Sequence, residues 1–477
     1  MPMINTNVAS LQAINNLNAS SADMNLHLSR LSSGLRINSA KDDPAGLIAS
    51  ETLRSEIAGV NQAISNSQRA GSVIGTAEGA LNEVSSMLLD LKGLINNSAN
   101  TGAISPEEIA ANQAQIDSTI NSVDRIANTT TFEGVKLLNG QLDFTTSGVN
   151  NANVASLRVD EVRFGAASNV GVTLNQVSSA QRGQLFWSAA AFGASVLTVN
   201  VAGTKGNETF SFVSGATWSN VAHAINDATA TTGVSAVGTS AGVLLQSTDY
   251  GSKQFVKVNA IKGNFNTVSG VGSATTLKNS DGKDLKVSVN GIVAVGDGLE
   301  IKTNGPAVSM DIKMAQAFNT AGGSTSFNVT GGGAQFQIGP QVNAQQMNIL
   351  GIQSINTFNL GDTGVGSLRD IMTNGTYDVS KGSDNCSSAS DIVDAAIQQV
   401  AQLRSRMGAF QKNTLDTNIN SLNVSLENVT SSESAIRDAD FAQETAAMTR
   451  SQILVQAGTK VLALANSAPQ SVLTLLG

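Results

Sequence analysis

Apolar residues recur at three- and four-residue intervals over both ends of this chain, and at two-residue intervals through its middle. The first period is that of a helix with one buried face, the second that of a strand. Helical arms so far apart in sequence share a core only if the chain doubles back on itself. The expected fold class is therefore α+β: a long helical coiled-coil rod made from both termini, with a β-rich region inserted as an outer part. That plan suits a rod or filament subunit better than an enzyme.

The first arm places Ile4, Val8, Leu11, Ile14 and Leu17 on one stripe, continued by Met24, Leu28, Leu31 and Leu35. Its flanks are unusual. Between residues 1 and 35 the only charges are Asp23 and Arg30. A solvated coiled coil carries Glu and Lys beside its seam; this helix carries Asn, Ser, Ala and Gln, so most of its surface is expected to lie against other helices. Alone it would be a marginal helix. Asp42-Asp43-Pro44 ends this arm and starts the next helix, with proline at the first turn and acids at the positive end. That helix is predicted from about Ala45 to Asn97, on the order of 80 Å at the standard rise. Its seam reads Leu53, Ile57, Val60, Ile64, Ile74, Leu81, Val84, Leu88, Leu91 and Ile95, with Gly71 on the same stripe as a point of close helix approach. Ser105-Pro106-Glu107-Glu108 starts a returning helix through Ile109, Ile116, Ile120 and Val123 to about Asn128.

From about residue 140 the period is two. Strands are predicted around Leu197–Val201, Phe210–Phe212, Phe255–Val258, Leu285–Val289, Leu299–Ile301, Phe327–Val329 and Phe336–Ile338, with a short helix over Val221, Ile225 and Ala228. The helical period returns near Ser390 through Val393, Ile397, Val400, Met407, Leu415, Ile419, Leu422, Leu426 and Val429. A last segment carries Leu454, Ala457, Val461, Leu464, Ala468 and Val472. From Ser451 to Gly477 the only charged side chain is Lys460. Two sparsely charged terminal helices that cover each other and their neighbours' copies imply a multi-subunit core.

Composition narrows the partners. The net charge is −8 and no Lys/Arg block occurs, which argues against nucleic acid and anionic membranes. Only six prolines occur in 477 residues, as long helices require. The single cysteine, Cys386, excludes an intramolecular disulfide and reads as an incidental loop thiol. The start shows neither the basic segment nor the apolar segment of a cleaved secretory signal, and no apolar run is long enough to span a bilayer.

Several motifs in series resemble bacterial flagellin. Ile4-Asn5-Thr6-Asn7-Val8-Ala9-Ser10-Leu11, Leu31-Ser32-Ser33-Gly34-Leu35-Arg36-Ile37-Asn38, Lys41-Asp42-Asp43-Pro44-Ala45-Gly46 and Thr131-Phe132-Glu133-Gly134-Val135-Lys136-Leu137-Leu138 resemble its N-terminal part. Arg404-Ser405-Arg406-Met407-Gly408-Ala409, Ser451-Gln452-Ile453-Leu454, Gln456-Ala457-Gly458 and the stretch from Asn466 to Gly477 resemble its C-terminal part. The likeness covers roughly the first 140 and last 90 residues. It implies a homopolymer that forms the flagellar filament for motility, and no cofactor. It implies an inner tube domain of residues 1–44 and 437–477, a rod domain of 45–178 and 331–436, and a variable outer part of 179–330. The tube contacts would come from Ile4, Val8, Leu11, Ile14, Leu17, Leu28, Leu31, Leu35, Leu454, Val461, Leu464, Val472, Leu475 and Leu476. It also implies uncleaved export through the flagellar type III apparatus, an export chaperone, and filament-end partners among the cap and hook-associated proteins. Many flagellins are detected by Toll-like receptor five through an Arg and a Leu on the long helix and a Glu on the returning one. Those positions match Asp90, Leu94 and Gln115 here. The leucine is kept, the arginine is replaced by an acid and the glutamate is neutral, so weak receptor activation is expected.

Nothing supports catalysis. The only histidines are His27 and His223, and the His-Glu-x-x-His pattern of a zinc protease is absent. Gly270-Val271-Gly272 and Gly331-Gly332-Gly333 lack the Lys-Ser/Thr of a phosphate loop and read as turns. A hook–filament junction protein shares the terminal pattern, and an adhesin role for the outer part is an alternative of a different class.

Overall fold

The structure is a computed structural model that describes all residues except 1–5, 166, 188–195, 263–266, 269–277, 306, 322, 363 and 474–477, together with the side chains of 320, 321, 362, 383 and 468–473. Its helices are α1 (Val8–Ser33), α2 (Pro44–Ser98), α3 (Pro106–Thr129), α4 (Trp218–Asp227), the short α5 (Thr229–Thr232) and α6 (Gln316–Ala321), α7 (Ser383–Phe410), α8 (Thr417–Arg437) and α9 (Phe441–Leu473). A π-helical stretch, Gln411–Asp416, lies between α7 and α8. Strands lie between α3 and α7, so the class is α+β. The chain forms two compact units, one of residues 1–70, 337–342 and 412–477 and the other of 71–336 and 343–411.

The first unit brings the two ends together. Asn7 caps α1 by accepting from the Ser10 amide at 3.0 Å, and Gly34 ends it at φ 72°, a left-handed position suited to glycine. A β-bridge between Leu35 and Asp438 then ties the exit of α1 to the entry of α9, and the Ala439 amide donates to the Gly34 carbonyl at 3.0 Å. At the far end Asn7 donates to the Ala465 carbonyl at 2.8 Å. α2 meets α8 through Val60, Ala63 and Leu422, with Ile64 and Leu426 beside them. Gly59 lets the 337–342 segment approach: a Cβ there would stand 3.0 Å from the Pro340 carbonyl oxygen.

In the second unit the buried line of α2 is Ile74, Ala77, Leu81, Val84, Leu88, Leu91 and Ile95, a strict three-four alternation. α3 contributes Ile116, Ile120, Val123 and Ala127, and α7 contributes Ala389, Ile392, Val393, Ala396, Val400, Leu403 and Met407. Gly71 is not the close-approach point expected of it. A Cβ on Gly71 would meet nothing within 4 Å, because the stripe passes through Ala70 instead. Cys386 is likewise no loop thiol. It lies in the first turns of α7, is 2% exposed, and burial pushes its thiol pKa up. The helix starts seven residues before its apolar period becomes legible at Ser390.

The polar side of α3 captures the loop before α7. Buried Gln113 donates to the Ile371 carbonyl at 3.0 Å and accepts from the Val379 amide at 3.0 Å. Asp117 accepts from the Thr373 amide and hydroxyl at 2.9 and 2.5 Å, and Asp124 does the same for Thr357 at 2.8 and 2.7 Å.

The middle of the chain holds two apolar cores. The first lies under two five-stranded sheets. One runs in the order Ile292–Val295, Lys286–Val289, Val170–Ser178, Ser324–Gly332, Phe144–Ser147. The other runs Glu300–Asn304, Val308–Met314, Val154–Val162, Met347–Leu350, Ala334–Gln337. Val172, Leu174, Val287, Ile301, Met310, Ile312, Phe318 and Phe327 fill it. The second core lies between two four-stranded sheets over residues 184–281 and beneath α4, filled by Trp187, Val199, Val201, Phe210, Val221, Ile225, Val243 and Val258. Strands on both sides of residue 178 thus share the first core. α7 is fastened to it by charge. Arg406 pairs with Asp160, and Arg158 pairs with Asp311 and donates to Gln402 at 2.8 Å. Burial, with Arg158 close by, pushes Arg406 down to about 10. Gly331 and Gly332 are not the turn expected of them: they end the strand Ser324–Gly332, paired with Thr145 and Phe144 past an irregularity in the ladder, and only Gly333 is a bend, at φ 79°; Gly270–Gly272 lies outside the described residues.

Candidate assembly surface

The apolar residues of α1 do not fall on one line. The shielded line is Ser10, Ala13, Leu17, Ser20, Met24, His27 and Leu31, at alternating three- and four-residue steps. Gly458 of α9 opens space for Leu17: a Cβ on Gly458 would stand 3.3 Å from Leu17 Cδ1. Leu35, at the exit of the helix, is also half-buried. Other apolar residues of α1, spread over the rest of its surface, stay in water. Val8 is 63% exposed, Leu11 54%, Ile14 37% and Leu28 57%. α9 adds Leu454 at 50%, Val461 at 55% and Leu464 at 73%. Sequence reasoning merged the two sets because alanine and serine, which build much of the shielded line, do not register as apolar period. It also missed exposed Leu26, Phe441 and Ile453. Their signal was the scarcity of charge around them. Ile4, Leu475, Leu476 and the side chain of Val472 lie outside the described residues.

Register between the two helices is set by polar groups. Glu444, 8% exposed in the first turn of α9, accepts from His27 Nδ1 at 2.5 Å and from Arg30 at 3.2 Å. His27 is therefore a structural partner within the pair. His223 is exposed on α4. Among the described residues no group of three His, Cys, Asp or Glu side chains is placed to hold a metal, and no helix is long and apolar enough to cross a membrane.

The positions matched to innate-receptor contacts lie in the other unit. Asp90 and Gln115 are exposed on α2 and α3, Leu94 is half-buried, and Leu89 beside them is 58% exposed.

Paired helices that expose several large apolar side chains present a candidate interaction surface. A chain whose paired terminal helices do so, with almost no charge to solvate them, is of the class of self-assembling helical filament subunits. Comparison with known proteins makes the class specific. A profile described as the bacterial flagellin N-terminal helical region matches residues 4–143, and the corresponding C-terminal helical region matches residues 390–476. The chain is 32% identical to a B-type flagellin of Pseudomonas aeruginosa, with 99% of each chain covered. It is 31% identical to flagellins of Salmonella rubislaw and Salmonella typhimurium at the same coverage. It belongs to the bacterial flagellin family, the structural subunits that self-assemble into the flagellar filament for swimming. Among solved structures, a hook-associated protein-3 of Legionella pneumophila covers 80% of this chain and 97% of its own at 12% identity and a TM-score of 0.31, a likeness too low to decide anything about function.

Proposed function

We propose that the open apolar residues of α1 and α9 form the surface by which one subunit binds the next. The observation that carries this is the exposure of Val8, Leu11, Ile14, Leu28, Leu454, Val461 and Leu464 on helices with almost no charge. Burial of one such side chain contributes about 1.5–3 kcal/mol, and a polymer repeats it at every subunit. Leu17, Leu31 and Leu35 hold α1 to the C-terminal part of the same chain, so their contribution to assembly is indirect. Ile4, Val472, Leu475 and Leu476 are proposed as further assembly residues on the sequence alone.

In this reading residues 1–44 and 437–477 form the inner tube, and 45–178 with 331–436 form a rod. Residues 179–330 belong to the outer part. The pairing of Val170–Ser178 with Lys286–Val289 and Ser324–Gly332 favours drawing the border of the outer part near residue 144. The subunit is secreted through the flagellar type III apparatus without cleavage. Before assembly an export chaperone covers the C-terminal helix, whose exposed leucines need such cover. Cap and hook-associated proteins meet the same surface at the filament ends. The flagellin acts as a scaffold and catalyses nothing. Toll-like receptor five recognition is weak, because Asp90 reverses the charge at the arginine position and Gln115 removes the acid.

The test is seeded polymerisation of the full chain beside a variant lacking residues 1–35, viewed by electron microscopy. Long filaments from the intact chain alone support the proposal. Equal filaments from both would refute it, and short capped oligomers from the intact chain would favour a junction role.

A further inference from the structure

The helix that runs from α7 into α8 holds one residue more than its pattern allows. The shielded side of α7 includes Val393, Ala396, Val400, Leu403 and Met407, at alternating three- and four-residue steps. Three four-residue steps then follow in a row, from Leu403 to Met407, half-buried Gln411 and buried Leu415. The alternation resumes at half-buried Asn418 and buried Leu422. An α-helix that absorbed the extra residue would turn every later side chain by about 100° and carry Leu415 and Leu422 off the shielded side. The chain takes it up instead as the π-helical stretch Gln411–Asp416. Such stretches are rare, sit frequently at functional sites and are places where long helices bend. Gly408, three residues earlier, adds to this. A Cβ there would meet nothing within 4 Å, so packing within the chain does not call for glycine.

α2 is weakened in the turns that follow Ser67. Asn418, just past the π-helical stretch, donates to Ser67 Oγ at 3.2 Å and so fixes the level at which α8 meets α2. Gly71, Gly75 and Gly79 come next, four residues apart on one side of α2. Glycine is the poorest helix former after proline, and close approach of a neighbour is a common reason to keep it inside a helix. No neighbour within the chain supplies that reason: a Cβ on any of the three would meet nothing within 4 Å. The stretch of α2 from Ala80 to Lys92 carries no glycine. The chain also passes between its two compact units after Ala70 and after Gln411.

We propose that residues 67–80 of α2 and residues 408–417 form a soft zone in which the subunit flexes. A straight rod spun about its own axis gives no thrust, so a filament that drives swimming must be curved. Subunits on the inner side of the curve are then compressed relative to those on the outer side, and one chain must fit both. A few helix positions that bend at low cost meet that need, as hinge residues do in domain motions. The packed lines on either side keep their shape, through Leu81, Leu88 and Ile95 on α2 and Val393 and Val400 on α7. The zone lies outside α1 and α9, so its role stands apart from the assembly surface proposed for them.

The full-length chain carrying Gly71→Ala, Gly75→Ala and Gly79→Ala together is the test, since each new methyl group has room within the chain. In the unassembled parent, amides over 68–80 and 411–417 are expected to exchange at least tenfold faster than those over 81–95 and 393–407. The triple variant is expected to slow exchange over 68–80 at least tenfold, because three alanines favour the helix. Grown from the same seeds, its filaments are expected to keep the parent's critical concentration and at least double the persistence length read from contours in electron micrographs. A variant lacking Asn413, which restores the three-four alternation, is expected to stiffen the filament in the same direction. Filaments of the triple variant with the parent's persistence length would overturn the proposal, as would parent amides that exchange evenly along α2 and α7. Loss of polymerisation with the melting transition kept would overturn it too, by placing the glycines against a neighbouring subunit.

Discussion

Replacing Leu464 by alanine separates assembly from folding. Leu464 is 73% exposed on α9, so its outer carbons contribute little within the single chain. If the exposed part is buried by a neighbouring subunit, the truncation removes three carbons at roughly 0.8 kcal/mol each. Scaled by the 73% still open to water, the loss is about 1.8 kcal/mol per subunit interface. That corresponds to a rise of about 20-fold in the critical concentration for growth from seeds. The assay is sedimentation of seeded polymer over a concentration series, with thermal melting of the unassembled chain beside it. The melting curve should stay within the ~0.5 kcal/mol typical of a surface substitution. Leu422→Ala serves as the opposite control, since Leu422 is buried between α8 and α2 and its loss should lower stability directly. The reasoning fails if Leu464→Ala polymerises at the parent's critical concentration. It fails equally if the variant loses monomer stability as fast as it loses assembly.

Three further outcomes follow from the second unit. Gln113→Ala strands the Ile371 carbonyl and the Val379 amide without their partner, and should cost about 2–4 kcal/mol in chemical denaturation. Asp378 responds to acid: burial alone would raise its pKa, but hydrogen bonds from Ser380 and the Asn374 amide outweigh it and hold the carboxyl below the usual range. Its contribution is therefore complete above about pH 4 and lost as pH falls through the folded value. Amide exchange over residues 374–381 should accelerate there first, and an Asp378→Asn variant should show no such step. The pair Asp90→Arg with Gln115→Glu should raise Toll-like receptor five signalling at least tenfold in reporter cells; signalling by the unaltered chain at the level of a strongly stimulatory flagellin would remove that explanation.

The helices were legible because their periods are long and their caps are explicit. Ser105-Pro106 starts α3 where expected, and Asp43 accepts from the Ala45 and Gly46 amides at the start of α2. The assembly surface was legible only as a mixture, since the residues that α1 turns to α9 are small or polar. Helix α7 was read late for a similar reason: Ser, Asn, Cys and Ala fill its first turns. In the middle, alternation identified Leu197–Ala202, whose side chains are alternately buried and half-exposed. It gave no warning of Val154–Val162 or Val170–Ser178, which carry bulges, Arg and Asn at positions that other strands cover. Nor did any local signal join residues 144–178 to 285–350, because the pairing that joins them spans more than a hundred residues.

A reconstruction of the native filament at side-chain resolution tests the central claim most directly. Val8, Leu11, Leu28, Val461 and Leu464 should each lie within about 4.5 Å of apolar atoms of a neighbouring subunit. Finding those side chains facing solvent, with subunits joined instead through the β-rich middle, would contradict it.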